Sequence, residues 1–109
     1  MRESHLAVIE RNVQWDGPIE SEPYEAAWAS EALFFIRVLD AKADQPIELR
    51  VQLSPDGMHW CDEGSTLRLN WTDEIQFVRI RHFGGWLRLV GAMPSGQQAR
   101  VIVYLQLKE

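Results

Sequence analysis

The sequence predicts an all-β domain: a two-sheet antiparallel sandwich of Greek-key or jelly-roll type, with about seven or eight strands. Three observations carry that expectation. Alternation with period two runs along the whole chain, cleanest in Ile47-Glu48-Leu49-Arg50-Val51-Gln52-Leu53, where apolar residues occupy one face and polar residues the other. Helical periodicity is sustained nowhere. Turn residues recur at roughly every eight to twelve positions, the spacing of short antiparallel strands.

Taken in order, a first strand over residues 6–14 ends at Asp16-Gly17-Pro18. The acidic, proline-containing stretch that follows reads as a long loop or arm over residues 16–30, laid across one end of the sandwich. Within it Glu25-Ala26-Ala27-Trp28-Ala29 has helix-compatible composition and leaves a short helical turn open. Strands follow over 34–39 and 47–53, separated by Asp44-Gln45-Pro46. Ser54-Pro55-Asp56-Gly57 is a strong turn: proline presets φ, aspartate bonds nearby backbone and glycine accepts the left-handed position. Short strands near Trp60 and over 67–71 precede 75–82 and 86–90, which Gly84-Gly85 divides. Met93-Pro94-Ser95-Gly96 leads into the last strand, where Val101, Val103, Leu105 and Leu107 form the inner set.

The chain of 109 residues fits one domain over 1–109. A formal charge of −5 argues against nucleic acid as a partner, because phosphate binding rests on a surplus of Lys and Arg. Cys61 is the single cysteine, so no intrachain disulfide forms. The first residues enter an alternating segment, not an apolar signal core, and the longest apolar run, Ala32-Leu33-Phe34-Phe35-Ile36, is far short of a membrane span. No membrane partner, no signal peptide and a cytoplasmic location are therefore expected.

Catalytic patterns are not found. His5, His59 and His82 are scattered without metal-ligand spacing, and Cys61 sits beside Asp62 and Glu63, which disfavour a thiolate. No serine lies in a nucleophile elbow and no glycine loop suits a phosphate. The loop carboxylates lack calcium-loop spacing and read as solvated charge. The expectation is no enzyme, no cofactor and no metal. Cys61 is read as a small half-buried strand residue.

That leaves surfaces. Of the five tryptophans, Trp60, Trp71 and Trp86 read as core or near-core, and Trp15 and Trp28, flanking the acidic arm, as surface anchors. Arginines alternate with apolar residues on strands and so point outward. Arg37, Arg88 and Arg100 are the candidates for contact, with Phe35, Ile102 and Tyr104 adding apolar area to outward rows. Two such rows exceed what a monomer needs, so the expected partner is a second copy or another structural protein. Exposed tryptophans (Trp15, Trp28 or Trp86) stacking on a carbohydrate form the alternative.

The run Phe34-Phe35-Ile36-Arg37-Val38, then residues 47–60 with Ser54, Asp56, Gly57 and Trp60 in an S-x-D-G-x-x-W turn, resembles small β-sandwich proteins of tailed-phage virions and prophage elements. Trp86-Leu87-Arg88-Leu89-Val90-Gly91 and the final strand extend the resemblance over residues 32–107. The resemblance implies a structural role, such as capsid decoration or a tail accessory, and no catalytic residues. The same turn is also similar to discoidin-like jelly rolls, although the chain lacks their paired cysteines.

Overall fold

Alternating apolar side chains bury one side of each strand, and the buried sides meet between two sheets. The computed structural model describes residues 3–109. Its strands are β1 (Ser4–Asp16), β2 (Pro18–Glu20), β3 (Tyr24–Glu25), β4 (Glu31–Lys42), β5 (Ile47–Ser54), β6 (Cys61–Leu69), β7 (Ile75–Arg81), β8 (Trp86–Ala92) and β9 (Gln98–Lys108). Among the described residues no helix forms. All pairings are antiparallel.

One sheet runs β1-β9-β4-β7 and the other β2-β8-β5-β6, with β3 also on β8. This interleaving of early and late strands is jelly-roll order. The nine strands exceed the expected number because β2 and β3 share one position beside β8, interrupted at residues 21–23. Ser21 bridges the gap: its N–H donates to the Leu89 carbonyl and its hydroxyl accepts the Leu89 N–H, each near 2.9 Å. The expected loop or arm over residues 16–30 thus contributes two short strands, β2 and β3, to the edge of the second sheet and is otherwise turn and loop. The helical turn left open at residues 25–29 is replaced by β3 and a turn in which the Ala26 N–H donates to the Gly85 carbonyl.

Phe34 and Ile36 from β4, with Val103 and Leu105 from β9, supply one side of the core; Leu49, Val51, Leu87 and Leu89 supply the other. Each such side chain contributes about 1.5–3 kcal/mol on burial. Trp15 belongs here as well. It is only 5% exposed and packs in the core cluster, so the reading of it as a surface anchor is corrected. The pairing with β9 explains why. β1 carries two register shifts, between Val8 and Glu10 and between Glu10 and Val13, each adding one residue. Two insertions restore the phase, and Trp15 faces inward opposite Ala99.

The loop between β5 and β6 is fixed against the one before β8. A Cβ on Gly85 would lie 2.2 Å from the Ser54 carbonyl oxygen, and Gly85 has φ +75°. Both facts demand glycine. Gly84 has nothing within 4 Å and lies outside the left-handed region. Gly85→Ala is therefore expected to lower unfolding free energy by about 2 kcal/mol or more, while Gly84→Ala shifts it by no more than about 0.5 kcal/mol. Urea titration of the two variants side by side measures the difference.

Candidate functional site

Two features stand out from the scaffold: a rigid projecting turn and an apolar outer sheet face. The turn is built on Ser54, buried at the end of β5. Its hydroxyl accepts the N–H groups of Asp56 (3.2 Å) and Gly57 (2.8 Å) and donates to Asp56 Oδ1 at 2.9 Å. Asp56 Oδ1 in turn accepts the N–H groups of Met58 and His59, and Oδ2 meets His59 Nδ1 at 2.7 Å. Gly57 has φ +79° and packs under the Trp86 indole, where a Cβ would come within 3.2 Å. The side chain of Met58 is left projecting, 73% exposed, more than any other large apolar residue among those described.

These donors hold the Asp56 carboxyl well below the usual carboxylate range, the His59 N–H first, then the His59 ring, the Met58 N–H and Ser54. A depressed folded-state pKa stabilises the fold at pH values above the unfolded pKa of about 4, and the contribution disappears as pH falls through the folded value.

Trp60 follows the turn and lies under Arg88, whose guanidinium carbon sits 4.2 Å from its ring centroid. Arg88 also donates to Glu20 (2.7 Å) and Gln52 (2.9 Å), and its side chain is only 18% exposed. Its donors tie β2, β5 and β8 together, so the expected role in external contact is corrected to an internal one. Arg100 is similar. It donates to the carbonyl and side chain of Asn12 and to Gln14, clamping the irregular part of β1, where Asn12 has φ 55°. Cys61, expected half-buried, is exposed at the start of β6.

Arg37, Phe35, Ile102 and Tyr104 do come together, on the outward face of the four-stranded sheet. Strand register lines up Val8, Tyr104, Phe35 and Phe77 as one row across β1, β9, β4 and β7. Ile102, Arg37 and Ile75 make the row on one side, and Leu6, Gln106, Leu33 and Arg79 the row on the other. The Phe35 and Phe77 rings pack with centroids 5.8 Å apart, and Arg79 covers the outer side of Phe77 at 5.6 Å. Leu6, Val8, Ile75 and Phe77 are exposed. A groove of about 430 Å³ between Leu6, Phe35, Ile75 and Tyr104 is rimmed by Arg37, Glu74 and Gln106. Tyr104, as hydrogen-bond partner, and then Glu74, 3.1 Å away, raise the Arg37 pKa, so its charge is fixed.

Sequence reasoning missed Leu6, Val8, Ile75, Phe77 and Met58. The signal for Ile75 and Phe77 was their phase: they share it with the outward Arg79 and Arg81 and alternate with the buried Val78 and Ile80. Of the three rings proposed for carbohydrate, Trp28 alone is exposed, since Trp15 is buried and Trp86 lies over Gly57. Among the described residues no group of three or more His, Cys, Asp or Glu is placed to hold a metal ion, and no helix is long and apolar enough to cross a membrane.

Strand order and the turn platform define a jelly-roll sandwich. No protein-family model matches the chain. No curated protein matches it either. Among solved structures it is similar to the SPBc2 prophage-derived protein YomS, with a TM-score of 0.65 over 100% of this chain and 96% of that one, at 8% sequence identity. At that identity the likeness is one of fold.

Asp56→Asn keeps an acceptor oxygen and removes the charge. The variant is expected to be less stable than the parent at pH 6, with the gap closing as pH falls below about 4. Urea midpoints across that range test this; a gap independent of pH would show that the charge contributes nothing.

Proposed function

We propose that this chain is a non-enzymatic structural protein that associates with further copies of itself through the outward face of β1, β9, β4 and β7, as a component of a virion or prophage-encoded particle. The observation that carries the reading is the unbroken row Val8–Tyr104–Phe35–Phe77 with Ile75, Ile102 and Leu6 beside it. An apolar row that crosses all four strands of a sheet and is fringed by arginines has the composition of an interface, not of ordinary solvated surface. Arginine and aromatic side chains are the types that carry most binding energy at such contacts.

The phage assignment draws its support from the S-x-D-G-x-x-W turn resemblance. The jelly-roll likeness to a prophage-derived protein accords with it at the level of fold. Arg88 is committed internally on the other sheet; Arg100, on the same sheet as the row, is bonded to Asn12 and Gln14 of β1, so the contact surface centres on the β4–β7 side, around Arg37 and Arg79.

Light scattering over a wide concentration range is expected to show assembly of the parent chain, and loss of assembly in the double variant Ile75→Glu/Phe77→Glu. Both side chains are exposed on the sheet's edge strand, so circular dichroism and thermal midpoint should stay near the parent's. A parent that remains monomeric at every concentration would overturn the reading.

A further inference from the structure

The proposed self-association leaves open what seats on the sheet face. We infer that its occupant is the Met58 turn of a second copy, so that the contact is head-to-tail. This rests on the reading above and adds a definite partner surface to it.

The two surfaces complement each other in shape and charge. Met58 is a flexible, unbranched apolar side chain, suited to filling an irregular groove. It stands on a backbone already locked by Ser54 and Asp56, so little ordering entropy remains to be lost on docking. The groove between Leu6, Phe35, Ile75 and Tyr104, at about 430 Å³, has ample room for it. Around Met58 the chain carries Asp56, beside His59, and Asp62 and Glu63, with Arg50 3.9 Å from Asp62; the receiving face carries Arg37, Arg79 and Arg81 against Glu31 and Glu74. An acidic tip thus meets a face of net positive charge within a chain of net charge −5. Pairing the same face of two copies would instead bring together two faces of net positive charge.

One molecule cannot satisfy its own groove. The turn joins β5 to β6 in one sheet, and the groove opens on the far side of the other, with the core between them. A contact between different surfaces repeats from copy to copy, and it yields a closed ring or an open filament.

Mixing two variants tests this. Met58→Glu has a spoiled tip and an intact face; Ile75→Glu/Phe77→Glu has a spoiled face and an intact tip. Each alone is expected to be monomeric by native mass spectrometry, whereas their mixture forms a one-to-one complex that grows no further. Met58→Leu, which stays apolar, is expected to assemble. Full assembly by Met58→Glu while the face variant stays monomeric would overturn the head-to-tail contact and leave the self-associating face standing. Two monomeric variants that give no complex on mixing would also overturn it. A monomeric parent would sink both the contact and the reading beneath it.

Discussion

The structure depends on burying apolar side chains between two pleated sheets, with Phe34, Ile36, Val103 and Leu105 of one meeting Leu49, Val51, Leu87 and Leu89 of the other. Period-two geometry makes this burial consequential for the opposite face. Once Phe34 and Ile36 point inward, Phe35 and Arg37 must point outward, and once Val103 and Leu105 are buried, Ile102 and Tyr104 are displayed. The outer face is therefore set by the same register that builds the core. A slip of one residue would exchange the two.

Long-range glycine and hydroxyl contacts hold the ends of this sandwich. Gly85 lets the chain before β8 approach the Ser54 carbonyl, and Ser54 then anchors the turn that carries Met58. Arg88 joins β2, β5 and β8 while covering Trp60, and Arg100 secures the irregular stretch of β1. Arg88 is thus largely absorbed into the fold, Arg100 is tied to β1 at the surface, and Arg37 and Arg79 remain beside the apolar row. Arg37 and Arg79 have carboxylate partners of their own, Glu74 at 3.1 Å and Glu31 at 3.6 Å, but they stand beside the apolar row, with Phe77 next to Arg79.

Much of this was legible in the sequence. The fold class, the longer strands and the outward placement of Phe35, Arg37, Ile102 and Tyr104 follow from alternation alone. Trp15 was legible too, since it shares its phase with Ala7, Ile9 and Val13, but proximity to an acidic stretch suggested a surface role. The short strands β2 and β3 escaped because two or three residues carry no periodicity; they are strands only because β8 pairs with them. The complete row could not be read, because joining Val8 to Phe77 requires the strand order β1-β9-β4-β7, which depends on pairings between residues far apart in sequence. The close packing of Gly85 on Ser54 is likewise a tertiary fact.

Hydroxyl-radical footprinting at low and high protein concentration tests the central claim, that the outward face of the four-stranded sheet is covered by another copy. Phe35, Phe77, Ile75 and Tyr104 should be oxidised in dilute solution and protected together as concentration rises, while exposed Trp28 reacts equally in both. Unchanged reactivity of those four side chains at every concentration would contradict the account.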